Sequence, residues 1–291
     1  MMTAVNAPFD DLNLNVGAMK YGLAHLAIAN DQYRDYLRVK DRYTILDNAA
    51  DELGEGMTGD DLNGLVEEIQ PSELILPDVL KDGKATQEAS MSFYENYLAG
   101  DKRPEGLKLM AVAQGETYYE WMESYNFWNE CDFVDVIGVP YDIDFPVGVD
   151  KGGAFTKTEL RSLNRQALVS SLYYNKGRKP IHLLGMNNLR ELEMRRDSGA
   201  NRRGFIRSND TTGPFAAALY GMDWSTMSAS EKRFEKDWPA LDFEHVWDRE
   251  EKFLAYKNLM AYAVCTGDHG LSYNLGRVFP TDELMEGFDR G

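Results

Sequence analysis

Short apolar runs that stop on a polar residue or a glycine recur along this chain, and the stretches between them carry apolar residues three and four apart. Six runs are plain: Tyr43-Thr-Ile-Leu-Asp47, Glu73-Leu-Ile-Leu-Pro-Asp78, Lys108-Leu-Met-Ala-Val-Ala-Gln114-Gly115, Val134-Asp-Val-Ile-Gly138, Pro180-Ile-His-Leu-Leu-Gly185 and Gly204-Phe-Ile-Arg-Ser-Asn-Asp210. Runs of this length bounded by turn residues predict buried strands, and a seventh is predicted within 21–30. Between them the pattern turns helical. Leu62, Leu65, Val66 and Ile69 share one face of a predicted helix at 60–69; Met91, Tyr94, Tyr97 and Leu98 mark the next, and Tyr118, Met122, Tyr125 and Trp128 a third. Further helices are predicted at 31–40, 158–175, 189–196 and 246–265, the last with Phe253, Tyr256, Met260 and Val264 at helical spacing.

Strands alternating with helices, with no break in composition, predict an α/β protein built as one TIM-type (β/α)8 barrel. Residues 1–19, with Asn, Asp, Pro and Gly and no sustained period, read as an irregular N-terminal arm, leaving 20–291 as a single barrel domain with a C-terminal helix. Beyond Phe215 no eighth strand stands out, so the eighth unit is expected to be irregular. The loop at 140–153, with Pro, Asp and Gly, is long enough to serve as a lid.

Composition narrows the setting. Two cysteines, Cys131 and Cys265, build no disulfide framework, the first thirty residues carry no basic leader, and no apolar run is long enough to span a membrane. The expectation is a cytoplasmic protein without a membrane partner. A net charge of −17 argues against a polyanionic partner, but its distribution is uneven. Between Arg161 and Arg207 stand eleven Lys or Arg against three acids, a local charge of +8. Solvated helix faces with ordinary ion pairs account for such a segment, and so does a phosphate-binding flank. The second reading gains from Arg190, Arg195, Arg196, Arg202, Arg203 and Arg207, which lead straight into the strand ending at Asp210.

In a parallel barrel the residues at the C-terminal ends of the strands converge on one pocket. Taken singly, Asp47, Asp78 and Asp210 are ordinary turn or capping residues; Asp210 before Thr-Thr-Gly-Pro suits a helix N-cap. Taken together they form a cluster of like charges that needs a ligand, a metal or a shared proton. Gln114 adds an amide that donates and accepts, and Gly115, Gly138 and Gly185 leave room for a flat ligand near the backbone. This set suits a heterocycle such as guanine, and a second carboxylate suits displacement at an anomeric carbon.

At these residues the chain resembles the tRNA-guanine transglycosylase superfamily, and most closely its phage DNA-guanine transglycosylase branch, which inserts 7-deazaguanine bases into DNA. The resemblance rests on Leu-Asp-Asn-Ala-Ala, Ile-Leu-Pro-Asp, Val-Ala-Gln-Gly, Val-Ile-Gly-Val, His-Leu-Leu-Gly and Asp-Thr-Thr-Gly-Pro in that order, and covers roughly Tyr21 to Met222. It implies a pentosyltransferase in which Asp210 is the nucleophile and Asp47 the general acid/base. Asp78 would bind the N1 and amino edge of the purine. Gln114, Gly115 and Gly138 would hold the six-position oxygen edge, while Val139, Leu184 and Gly185 shape the pocket. The implied partners are DNA, duplex or locally melted, and a free 7-deazaguanine base; the implied role is protecting phage DNA from restriction, in the cytoplasm of the host. No cofactor is called for, and the state is left open between monomer and homodimer.

Two departures from the tRNA enzymes matter. Asn48-Ala49-Ala50-Asp51-Glu52 stands where they carry Ser-Gly-Gly-aromatic-Gln, so a stacking aromatic is missing. Their structural zinc needs three cysteines and a histidine, and only Cys265 and His269 stand near the end of this chain, so no zinc subdomain is expected. Three alternatives remain beside the DNA reading: a tRNA-guanine transglycosylase, a glycoside hydrolase on a barrel, and a non-catalytic nucleic-acid-binding paralogue.

Overall fold

A computed structural model describes residues 2–5, 23–28, 43–50, 57–147, 157–175, 177–186, 191, 200, 204–226 and 245–265. Eight strands lie in it: β1 (Met2–Val5), β2 (Leu23–Ile28), β3 (Thr44–Asp47), β4 (Glu73–Ile75), β5 (Lys108–Val112), β6 (Val136–Val139), β7 (Ile181–Leu183) and β8 (Ile206–Thr211). Every pairing is parallel and runs in chain order, and β1 pairs with β8 to close the sheet into a barrel. The protein is α/β. Closure removes both open edges, so no row of backbone donors is left for another chain to pair with.

All but one of the described helices follow the predicted spacing; the helix at Gly213–Leu219 was not expected. They are α1 (Gly59–Ile69), α2 (Gly83–Phe93), α3 (Tyr118–Glu130), α4 (Lys157–Tyr174), α5 (Gly213–Leu219) and α6 (Arg249–Cys265). Their starts are written in the sequence. Thr58 caps α1 by accepting from Asp61 N–H, Asp82 caps α2 by accepting from Lys84 and Ala85 N–H, and Thr117 with Glu120 forms a reciprocal capping box on α3. Predicted helices at 31–40 and 189–196 lie outside the described residues but for Glu191, as does most of the second half of the 140–153 loop.

Two expectations are corrected. The N-terminal arm is not wholly irregular: Met2–Val5 is a barrel strand seated between β2 and β8. The eighth strand is therefore at the start of the chain, and the described residues beyond Phe215 supply helices instead. Four residues carry too little alternation to announce a strand; their pairing comes from neighbours on both sides.

Alternation along the strands sorts the core into two shells. Leu46, Leu74, Leu109, Ala111, Ile137, Leu183 and Ile206 pack outward with Leu62, Leu65 and Val66 of α1 and Trp121, Tyr125 and Trp128 of α3. Ala4, Leu26, Ile45, Ile75, Met110, Val112 and Val136 form a separate cluster of strand residues alone, which fills the barrel. Above this plug the strands end, and the polar residues begin.

Candidate active site

A cavity of about 460 Å³ opens at the C-terminal ends of the strands. Its floor is apolar, from Leu26, Ile75 and Val112, and its wall carries Asp47, Asp78, Gln114, Leu184, Gly185 and Asp210, six residues singled out from sequence. The volume is within the range of small-molecule sites, roughly 300–1,000 Å³.

Asp210 is the first residue whose ambiguity the structure resolves. It is not the cap of the following helix: the N-cap of α5 is Thr212, and Gly213 N–H is taken by Thr211 Oγ1 at 3.0 Å. The Asp210 carboxylate turns into the cavity. Gly185 N–H donates to both of its oxygens at 3.1 Å, and His182 Nε2 lies 2.9 Å from Oδ1. Gly185 has φ +60, and a Cβ there would stand 3.2 Å from the Tyr141 side chain, so glycine is needed for the N–H to face the carboxylate. Burial first, and then the charge of Asp210, hold the Tyr262 hydroxyl above its ordinary range.

Asp78 is held on both oxygens. Asn48 Nδ2 donates to Oδ1 at 2.8 Å and Gln114 Nε2 to Oδ2 at 2.6 Å. Lys81 N–H donates to Gln114 Oε1 at 3.0 Å, which fixes which end of the amide faces Asp78. Asp47, half-buried at the end of β3, accepts from Ala49 N–H at 3.3 Å across a backbone with φ 60 at Ala49. It faces the same cavity as Asp210.

At the rim a charged network frames the entrance. Arg161 Nε and Nη2 donate to Asp144 at 2.6 and 2.9 Å, and Lys81 Nζ reaches Asp144 at 3.1 Å and Asp142 at 3.6 Å. The Arg161 hydrogen bond pulls the Asp144 carboxyl down to about 2, while burial raises that of Asp142. Tyr141 lies on this rim with the Arg165 and Arg161 guanidinium carbons 5.2 and 5.7 Å from its ring centre.

Other expected residues fall elsewhere. Val139 is fully buried in the outer shell against the helices; a period of two puts Gly138 inside and its neighbour outside. Gly115 faces α3, where a Cβ would sit 2.4 Å from Trp121 N, so it serves close helix packing. Gly138 lies below the cavity, between Leu184, Val112 and Met110. Arg207 is not on a phosphate-binding surface. It points into the N-terminal end of the barrel, where Nη2 meets both Glu73 oxygens at 2.7 Å and Nη1 donates to the Tyr43 hydroxyl at 3.1 Å. Arg190, Arg195, Arg196, Arg202 and Arg203 lie outside the described residues, as does His269, and nothing is described of the Cys265 side chain.

His182, Asn48 and Tyr141 belong to the site or its rim and were not named as parts of it from sequence. Alternation carried a signal for His182: in Ile-His-Leu-Leu the second and fourth positions must face the same side, and the fourth, Leu184, is expected in the pocket. Among the described residues no group of three or more His, Cys, Asp or Glu is arranged to hold a metal ion, and no helix is long and apolar enough to cross a membrane. No protein-family model and no curated protein matches this sequence.

Proposed function

We propose that this protein is a guanine base-exchange transglycosylase on a TIM-type barrel, that its substrate is DNA, and that the incoming base is a 7-deazaguanine. The observation that carries the reading is the Asp210 carboxylate, withdrawn from helix capping and aimed into a cavity that also holds Asp47 and the doubly held Asp78. A carboxylate gripped by a backbone N–H and an imidazole is held in one orientation, as a nucleophile must be.

The chemistry then divides between the two carboxylates. An Asp210 oxygen attacks C1′ of the target nucleotide; the C1′–N9 bond breaks and guanine leaves as Asp47 gives a proton to its ring nitrogen. The incoming base loses its N9 proton to Asp47 and attacks C1′, and the C1′–Asp210 oxygen bond breaks. The Asp78 oxygens match the N1–H and amino donors of the purine. A base inside a duplex must first be turned out of the stack, at a cost of a few kcal/mol.

On this reading contact with the phosphate backbone falls to Arg190, Arg195, Arg196, Arg202 and Arg203. The described cations of the basic segment are engaged within the protein: Arg161 with Asp144, Arg165 with Glu191, Arg178 with Glu130, Arg207 with Glu73, and Lys179 with the Cys131 and Val134 carbonyls. DNA is preferred to tRNA on the absence of the three-cysteine zinc pattern from the sequence. Protection of phage DNA from restriction, in the host cytoplasm, is the role this substrate entails.

The test is incubation with duplex DNA and labelled guanine. Label enters DNA with the parent protein, and Asp210→Asn lowers the rate by at least about a thousand-fold. Label in tRNA but not DNA overturns the substrate and leaves the chemistry. Free sugar released from oligosaccharides without base exchange replaces the reading with a glycoside hydrolase, and nucleic-acid binding with no exchange at all leaves a non-catalytic paralogue.

A further inference from the structure

An ion pair at the far end of the barrel, buried on its Glu73 side and half-buried at Arg207, takes no part in the chemistry above. Glu73, fully buried at the start of β4, and Arg207 on β8 face each other across the interior, and the Tyr43 hydroxyl donates to Glu73. Desolvating two charges costs several kcal/mol per ion, and an apolar pair is often as stable, so stability alone is a weak reason for it.

The pair connects upward to the nucleophile. Arg207 Nε and Nη2 donate to Ser208 Oγ at 3.2 and 3.1 Å. Ser208 Oγ is 2.8 Å from His182 Nδ1, and His182 Nε2 is 2.9 Å from Asp210 Oδ1. Ser208 and His182 are both fully buried. A shift of register opposite Ile181 and His182 makes this line possible: Ile181 pairs with Ile206 and His182 with Ser208, leaving Arg207 as an extra residue. Such a bulge lets consecutive side chains turn to the same side, so Arg207 and Ser208 both reach the interior.

We infer that the Glu73–Arg207 pair acts on Asp210 through Ser208 and His182, setting His182 as the neutral imidazole with its proton on Nε2. The reasoning is a count of donors. A serine hydroxyl has one hydrogen and two lone pairs. The two Arg207 N–H groups take the lone pairs, so the hydroxyl hydrogen is the one left to give, and its neighbour is His182 Nδ1. That nitrogen must then be bare, and the proton of the ring is on Nε2, aimed at Asp210 Oδ1. An imidazolium would bring a third donor to Ser208, whose two lone pairs are already taken.

His182 is thus a positioning residue, with Gly185 N–H as its partner. Together they occupy Oδ1 from two directions and fix the plane of the carboxylate, and Oδ2 is the oxygen that His182 leaves open. Glu73 in turn holds Arg207 in the orientation that makes the count close. The role in turnover rests on the proposed base exchange; the protonation of His182 does not.

Nitrogen-15 NMR of the full chain labelled at histidine separates the two. The sequence has four histidines, and His182→Gln identifies the signal. The expected spectrum at neutral pH shows an unprotonated Nδ1 and a protonated Nε2, with the Nδ1 resonance moving in Ser208→Ala as its hydrogen-bond donor is lost. A proton on Nδ1, an imidazolium, or an Nδ1 signal indifferent to Ser208→Ala overturns the inference, whether or not the protein exchanges bases. Where base exchange is found in the parent, Ser208→Ala lowers kcat by about 5- to 10-fold with an unchanged KM for DNA. An unchanged kcat with a folded variant removes the catalytic part of the relay.

Discussion

Asn48 offers a test that separates the proposed recognition of the base from the proposed chemistry on it. Its Nδ2 donates to the Leu76 carbonyl at 2.7 Å and to Asp78 at 2.8 Å, and its Oδ1 accepts from Ala50 N–H at 2.8 Å, so the side chain is locked from three sides. Its amide holds Asp78 Oδ1 while Gln114 holds Oδ2. Truncation leaves Asp78 Oδ1 without that donor while Asp210 and Asp47 keep their own partners. Asn48→Ala should therefore raise KM for the free base by about 10-fold and change kcat by less than about 3-fold, the loss of one charge-assisted hydrogen bond acting on binding alone. Steady-state exchange with varied base concentration reads both constants. A fall in kcat at constant KM would move Asp78 from base recognition to the bond-making step.

Among the elements, α4 and the end of β7 are joined by one side chain. Arg165 of α4 is fully buried; its guanidinium donates to Glu191 at 2.9 and 2.8 Å, to the Leu184 carbonyl and to Met186 Sδ at 3.3 Å. It thereby fixes the turn that presents Gly185 N–H to Asp210. Breaking such a pair from one side leaves an uncompensated buried charge, so Arg165→Met should destabilise the fold by about 3–5 kcal/mol, and Arg165→Met with Glu191→Leu should recover most of it. Urea unfolding measures both, and a single-variant loss below about 1 kcal/mol would show the tie to be idle. At this scale most of the fold was legible. Apolar runs bounded by polar residues marked β2 to β8, because a strand covered on both faces must be apolar throughout, and apolar residues three and four apart marked most of the helices. The candidate site was legible only at strand ends, where a polar residue breaks such a run. Glu73, His182 and Arg207 stayed hidden because their direction depends on register and, for Arg207, on a bulge that no local pattern announces. Val139 was misplaced for the converse reason, adjacency in sequence being opposition across a strand.

At the scale of the whole molecule the barrel is completed by its shortest clue. β1 pairs through Met2, Thr3, Ala4 and Val5 with Ser208, Asn209, Asp210 and Thr211, so the strand that carries Asp210 is held on one side by residues 2–5 and on the other by β7. Ala4, fully buried, also belongs to the apolar plug beneath the cavity. Removing β1 costs more than one set of ladder hydrogen bonds. It turns β2 and β8 into open edges, exposes the plug to water, and frees the strand on which Ser208 and Asp210 are mounted. Deletion of residues 1–5 should give a protein that aggregates or unfolds well below the parent temperature. Thr3→Pro, which withdraws one N–H from the strand and fixes its φ, should do the same in milder form. Size-exclusion chromatography and thermal unfolding decide the matter: a deletion variant with the parent's elution volume and Tm would mean that β8 needs no partner at its outer edge, and that closure is incidental to the site.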